Sequence, residues 1–233
     1  STSLYSQNRT GFEGEIVIIN VGTLDRLEIY NIINKVLLKE PKVVGVNIGI
    51  YVSNVCDSLI YDQADKLVFA SYFTGLEVVN SIFSENQGYI NTLEKKGRKL
   101  DYFRLMTTFN AQKYDSFPLA ILKLYDFTLY KRLLQYDGVY KLDYLGNWSS
   151  FYTVDHESII DNIMFDKLNL KNKIVILGYL GEEIVFGQSY TDNIDLVSVP
   201  CFRYNKSDCQ MYRTVMFANI LENLLRSEKF KLN

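Results

Sequence analysis

The sequence has few of the residues that build metal and nucleophilic sites. It has 233 residues but one histidine, His156, three cysteines and no Cys-x-x-Cys pair, so we predict no metal site and no cofactor. His156 follows Asp155 at a predicted helix start, where an exposed imidazole is expected. Because no Gly-x-Ser-x-Gly elbow accompanies it, we predict no catalytic residue.

The cysteines leave one question open. Cys201 and Cys209 are close in sequence, and Cys56 is far from both. In an oxidising compartment, Cys201 and Cys209 could close a short disulfide loop. Otherwise they are two ordinary thiols.

Long apolar runs, basic clusters and phosphate loops are also missing. No apolar run approaches the roughly 18–20 residues of a membrane span. The 25 basic and 27 acidic residues give a net charge of −2, without the basic clusters that bind nucleic acid. A dinucleotide loop needs three glycines after the first strand, whereas this chain has only Gly22 there. We therefore expect neither nucleic-acid nor dinucleotide binding.

Two continuous apolar runs are the main structural signal. They are Ile16 to Ile19 and Ile174 to Leu177, the second within Lys171 to Gly181. Neither run has a polar face, which is typical of central strands covered by helices on both sides. Two such strands could lie side by side, which would bring distant parts of the chain together.

The first run begins a strand–helix–strand unit. Asp25 and Glu28 have the spacing of a capping box, and the following apolar residues recur at helical spacing. Pro41 ends this helix before the apolar strand Val43 to Ile50. Further along, Gly88 to Asn91 and Leu100 to Phe109 flank a basic turn and predict a hairpin. The fold class predicted is α/β: a single domain over residues 1–233, with a mixed, mostly parallel central sheet and helices on both faces.

Polar residues near the strand ends are the candidate ligand-binding positions, because open α/β sheets place their sites at the carboxyl ends of strands. The candidates are Asn20, Asp25, Asn47, Asp57, Tyr179 and Asp195. For the carboxylates the alternative is structural: Asp25 and Asp57 cap helices and Asp195 orders its loop. For the two amides, a ligand pocket and internal hydrogen bonding remain equally open.

Five stretches together carry a resemblance to a known family. In chain order they are Ile16-Val-Ile-Ile-Asn20 with Asp25-Arg26; Pro41-Lys-Val-Val-Gly-Val-Asn-Ile48 with Asp57 and Leu59; Gly88-Tyr-Ile-Asn91 with Arg104; Leu142-Asp-Tyr-Leu-Gly-Asn147; and Leu170-Lys-Asn-Lys-Ile-Val-Ile-Leu-Gly178 with Asp195, Pro200 and Ala218-Asn219. In order and spacing they resemble the CHASE-two family, the second type of cyclase- and histidine-kinase-associated sensory extracellular domain.

The chain departs from the family pattern at two places. Asn47 stands where the family usually has Asp. Met211-Tyr-Arg213 and Phe217 stand where it commonly has a Pro-Gly pair and a His. If the family's pocket uses that Asp or His, the pocket of this chain differs.

The resemblance implies a location and a role. Family members lie on the periplasmic or extracytoplasmic side of a membrane, between flanking transmembrane helices, and are joined to cytoplasmic output modules. The start at Ser1 rather than Met fits a segment excised from such a longer membrane protein. The resemblance names no ligand and no catalytic residue.

The leading hypothesis is an extracytoplasmic signal-sensing domain of a bacterial transmembrane receptor. It would bind an unknown small-molecule or protein signal and relay a conformational change. One alternative is a cell-envelope interaction module, in which homodimer or partner contacts act without a small ligand. A hydrolase-like α/β domain is a second alternative, which would need a carboxylate cluster or a phosphate loop.

Overall fold

The computed structural model describes residues 14–83, 85–92, 100–136, 138–181, 196–199 and 210–226. The strands of this part of the chain are β1 (Ile16–Asn20), β2 (Val43–Asn47), β3 (Leu67–Phe73), β4 (Val78–Val79), β5 (Gln87–Tyr89), β6 (Tyr102–Arg104), β7 (Met106–Phe109), β8 (Gln112–Asp115), β9 (Val139–Lys141), β10 (Tyr152–Asp155), β11 (Ile174–Gly178), β12 (Leu196–Ser198) and β13 (Gln210–Tyr212).

The α-helices of the described residues are α1 (Arg26–Leu37), α2 (Phe117–Tyr125), α3 (Phe127–Leu133), α4 (His156–Ile160), α5 (Asn162–Asp166) and α6 (Arg213–Arg226). Short 3₁₀ helices cover Val55–Leu59, Tyr61–Lys66 and Trp148–Ser150. Among these described helices, none has the length and apolar character needed to cross a membrane.

The main sheet has seven strands, and its order confirms the predicted parallel arrangement. The strands run β10-β1-β11-β2-β3, and β3 also pairs with β4 and β5. All of these pairs are parallel except β3 with β4. The apolar strands β1 and β11 are neighbours, with Ile16 opposite Ile174 and Asn20 opposite Gly178.

Helices cover both faces of the sheet, as the fully apolar strands predict. In β1, Ile16 and Ile18 belong to a core shared with α2 and α6. Val17 and Ile19 alternate with them and pack into a second core with α1 and α5. Because successive side chains of a strand point to opposite faces, a strand buried on both sides has no polar positions to spare.

The predicted amphipathic helix is α1, and its predicted capping box is present. Asp25 accepts a hydrogen bond from the Glu28 amide at 2.9 Å, and the Asp25 amide donates to Glu28 at 2.8 Å. Its buried face carries Tyr30, Ile33 and Val36. A capping box satisfies two of the amides that a helix start leaves unpaired, so this helix begins where the sequence predicts.

The predicted hairpin is wrong. β5 is parallel to β3 in the main sheet, whereas β6 is antiparallel to β9. Gly88 lets the start of α2 pack directly on β5, because a Cβ at Gly88 would lie 2.5 Å from the Phe117 Cα. Burial between β3 and α2 therefore decides the partner of β5, against the local turn signal.

Candidate functional site

Three parallel strands end in register at one edge of the sheet, and two of the predicted site residues lie there. Asn20 at the end of β1 is opposite Gly178 of β11, which is opposite Asn47 of β2. Both asparagines are buried. The structure thus brings Asn20 and Asn47 to the two sides of Gly178, at the edge where open α/β folds place their sites.

The Asn20 side chain makes four hydrogen bonds at this edge. It donates to Asp155 Oδ1 at 2.7 Å and to the Gly181 carbonyl at 3.2 Å. Its oxygen accepts from the amides of Leu180 at 2.9 Å and Gly22 at 3.1 Å. These bonds use both donors and both lone pairs of the amide, so a ligand would have to replace one of them.

Asn47 connects the sheet to the first turn of α6. Its Nδ2 donates to the Thr214 hydroxyl at 2.8 Å, and Thr214 is fully buried. Thr214 also packs over Gly178, where an added Cβ would lie 2.0 Å from the Thr214 Oγ1. The absence of a side chain at Gly178 therefore allows α6 to begin directly above the central strands.

Asp25 and Asp57 both hold structural positions. Asp25 is the exposed cap of α1. The buried Asp57 carboxylate lies 2.7 Å from Arg26 Nη2 and accepts a hydrogen bond of 2.7 Å from the Tyr30 hydroxyl. It also accepts a hydrogen bond of 2.6 Å from the backbone amide of Asn54, the residue that caps the 3₁₀ helix Val55–Leu59. Since a buried carboxylate needs a counter-charge and donors, these contacts account for Asp57.

Burial, with the hydrogen bond to Asp57, raises the pKa of Tyr30 above its ordinary value. The phenol therefore remains protonated and keeps donating to Asp57 over the physiological range.

Of the two remaining predicted site residues, Tyr179 directly follows Gly178 at this edge, and the other lies outside the described chain. Tyr179 is half-buried, with its ring edge-on to Tyr212 and the ring centroids 5.8 Å apart. Asp195 lies outside the described residues, as do Cys201 and Cys209.

The prediction that His156 is exposed is wrong. Its side chain is only 13% exposed, and Nε2 lies 3.2 Å from Glu157 Oε1. His156 opens α4 immediately after β10, which pairs with β1, so the imidazole lies close to the sheet edge rather than in solvent. Within the described residues, no group of three His, Cys, Asp or Glu side chains could hold a metal ion.

An apolar cavity of about 110 Å³ lies further along the same edge, where β3 and β5 end. Aromatic and aliphatic side chains form most of its wall, and neutral polar residues and one cation complete it. The lining residues are Phe73, Tyr89, Asn91, Thr92, Leu100, Tyr102, Phe103, Arg104, Thr107, Ser116, Pro118, Met216, Phe217 and Ile220. We call this the β5–α6 cavity.

Specific polar contacts hold the strand side of the β5–α6 cavity. The Tyr89 hydroxyl donates a hydrogen bond of 2.9 Å to the Arg104 carbonyl and so connects β5 to β6. Asn91 accepts from the Phe73 amide at 2.6 Å and donates to its carbonyl at 3.0 Å. Burial raises the pKa of Tyr89 above its ordinary value, so this phenol stays a neutral donor.

Helix α6 forms the opposite wall and is held by two asparagines one turn apart. The Asn219 oxygen accepts from the amides of Leu145 at 2.7 Å and Gly146 at 3.3 Å. Its nitrogen donates to the Gly146 carbonyl at 2.9 Å. One turn later, Asn223 accepts from the Asp143 amide at 2.9 Å. Residues 143–146 are therefore bound to α6. They come shortly after β9 in the chain, and β9 pairs with β6 in the cavity wall.

Sequence reasoning did not select the lining of the β5–α6 cavity. Gly88 to Asn91 and Arg104 were noted in the resemblance and as parts of the two strands of the predicted hairpin, but not as site residues. The usable signal was Ser116 with Pro118, which marks a helix start close in sequence to β5 and β6. The sequence did not predict that α6, from a distant part of the chain, would pack against these residues.

Fold and cavity together define the class: an α/β domain with a mostly parallel sheet and a small apolar cavity at the carboxyl edge of its outer strands. No protein-family model matches the chain, and comparisons with curated proteins and with solved structures give no match.

Proposed function

We propose that the chain is an extracytoplasmic signal-sensing domain of a bacterial transmembrane receptor. It binds a small molecule in the β5–α6 cavity and relays a conformational change through α6 to a cytoplasmic output module. The observation that carries the proposal is that a single helix, α6, both lines the cavity and lies close to the C-terminus. The extracytoplasmic side and the flanking membrane helices rest on the resemblance to the CHASE-two family.

Two routes connect a ligand in the cavity to α6. Met216, Phe217 and Ile220 would touch the ligand directly. The strand β6 would touch it from the other side and is joined through β9 to the segment held by Asn219 and Asn223. A ligand shifts such an arrangement only if it binds one position of α6 more tightly than another.

Filling the cavity tests the binding site. In a thermal-shift screen of small molecules, we expect a compound that raises the melting temperature of the wild type but not of Ile220→Phe. The added ring occupies the space of the ligand. Ile163→Phe is the matched control, because Ile163 lies 71% exposed on α5 and outside the cavity. Unchanged ligand stabilisation in Ile220→Phe would place the site elsewhere.

The membrane side can be tested in cells that make the full-length protein. With the native cysteines replaced, a membrane-impermeant thiol reagent should label Leu76→Cys in intact cells, since Leu76 is 90% exposed. Labelling that requires lysis of the cells would exclude the extracytoplasmic placement.

One observation favours the alternative of an interaction module. A groove of about 690 Å³ beside α1 is lined by Leu38, Leu59 and Ile160, whose side chains are well exposed. Exposed apolar clusters often mark interaction sites. A dimer that dissociates in Leu38→Asp, together with no ligand response at the β5–α6 cavity, would favour this alternative.

A further inference from the structure

The β5–α6 cavity has an unbalanced charge. Among its fourteen described lining residues, Arg104 is the one charged residue and none is a carboxylate. The first turn of α2 contributes Ser116 and Pro118 to the same wall, and a helix N-terminus carries partial positive charge. Both features favour a ligand with a negative group.

The guanidinium of Arg104 is available for that group. Within the described part of the chain it makes no hydrogen bond and no ion pair, whereas the Arg104 backbone is held by the ladder with β9 and by Tyr89. Arg104 is exposed, so its cation is at the solvent side of the cavity. Because its backbone is fixed and its planar guanidinium has no partner among the described residues, Arg104 is suited to bidentate binding of a carboxylate.

The neutral polar groups of the wall divide into those with a protein partner and those without one among the described residues. Asn91 is engaged with the Phe73 backbone, and the Ser116 hydroxyl accepts from the Leu119 amide at 3.4 Å. Thr92 and Thr107 also line the cavity, and their hydroxyls have no hydrogen-bond partner among the described residues. They can donate to an anion held by Arg104.

The size of the cavity limits the rest of the ligand. Its volume is about 110 Å³, and an apolar cavity of about 150 Å³ accepts a benzene ring. The wall supplies apolar contacts from Phe73, Phe103 and Phe217. These side chains cannot form hydrogen bonds or ion pairs with a polar ligand body. The apolar part of the ligand therefore has roughly four to six carbon atoms, branched or cyclic.

We infer that the β5–α6 cavity binds a small monocarboxylate, with its short branched or cyclic hydrocarbon body inside and its carboxylate on Arg104. This inference rests on the proposed function and adds the chemical class of the signal. Isovalerate and benzoate are the test compounds, and isovaleramide and benzamide are their uncharged counterparts.

Binding of the four compounds to the whole chain is measured by calorimetry and thermal shift at millimolar concentrations. We expect at least one of the two acids to bind, and its amide to bind about 10- to 100-fold more weakly because it lacks the charge-assisted hydrogen bonds. Arg104→Gln should lose a similar factor for the acid, and Arg104→Lys should retain part of the affinity.

Lys113→Gln is the control for the loss of one positive charge. Lys113 is exposed on β8 and does not line the cavity, so its change should leave acid binding within about twofold of the wild type. Unligated melting temperatures of all variants show whether each of them is folded.

The outcomes separate this inference from the proposed function. Equal binding of acid and amide, or of wild type and Arg104→Gln, overturns the carboxylate inference. If such binding is abolished by Ile220→Phe, the cavity is still a ligand site and the proposed function stands. If neither acid binds, the carboxylate inference also fails, whereas the proposed function fails only when the wider screen finds no ligand sensitive to Ile220→Phe.

Discussion

At the scale of single residues, buried asparagines organise this protein. Asn20 and Asn219 each use both amide hydrogens and both oxygen lone pairs within the fold. Such saturated amides connect segments far apart in sequence: Asn20 joins β1 to residues 180–181, and Asn219 joins α6 to residues 145–146. Their burial is compatible with stability only because every polar atom has a partner.

The structural role of Asn20 predicts a large loss of stability on truncation. Asn20→Ala leaves the buried amides of Leu180 and Gly22 without their acceptor, and each unsatisfied group costs about 1–3 kcal/mol. We therefore expect the free energy of unfolding in urea to fall by about 3 kcal/mol. Asn31→Ala, on the exposed side of α1, should change it by less than about 0.5 kcal/mol.

The opposite result would identify Asn20 as a ligand group. Unfolding like that of the wild type, with ligand stabilisation abolished, would mean that the hydrogen bonds of Asn20 serve binding rather than the fold.

At the scale of elements, glycine determines how closely helices approach the sheet. A Cβ at Gly88 would meet the backbone of Ser116 and Phe117 at 2.5–2.8 Å. A Cβ at Gly178 would meet the side chain of Thr214 instead. A side chain can rotate away, whereas the start of a capped helix can move only with the whole of α2. The contact of β5 with α2 is therefore the stricter of the two.

This difference predicts the cost of a single methyl group. Gly88→Ala should lower the free energy of unfolding by about 3 kcal/mol, at the upper end of the usual range for overpacking, because backbone rather than side-chain atoms must move. Gly75→Ala is the control, since a Cβ there has nothing within 4 Å. Chemical denaturation of the two variants measures the difference. Equal stability would mean that α2 shifts without cost, and that its position does not define the cavity wall.

At the scale of the whole molecule, strands far apart in sequence build one sheet. Strand β11, from the last third of the chain, lies between β1 and β2, which come from the N-terminal part. Without β11 those two strands have no partner on the sides that now face it, and two cores lose their central strand. Formation of the sheet therefore depends on contacts of high sequence separation.

A truncated chain tests this dependence. A fragment of residues 14–170, which ends before β11, should show no cooperative unfolding transition by circular dichroism and should expose its apolar surface to a hydrophobic dye. The full chain should unfold in one transition. A fragment that unfolds cooperatively would mean that the N-terminal strands form a stable sheet of their own.

The sequence by itself determined the elements whose signals are local. β1 and β11 contain continuous apolar runs, β2 is a mostly apolar strand, and α1 has its capping box and helical spacing, so their type, burial and class of fold were predictable. The central position of β1 and β11 also followed, because only central strands are apolar on both faces, and this position allowed the pairing that the structure shows. Asn20 and Asn47 were placed at the correct edge, but the sequence could not tell whether their partners would be ligand or protein.

Only the tertiary structure decided the partners of β5 and β6, the burial of His156 and the position of the β5–α6 cavity. The wall of that cavity combines β3, β5, β6 and α2, which all lie within residues 67–125, with α6, which begins only at Arg213. No local pattern encodes such a meeting, because the free energy that drives it comes from burying apolar surface between distant segments.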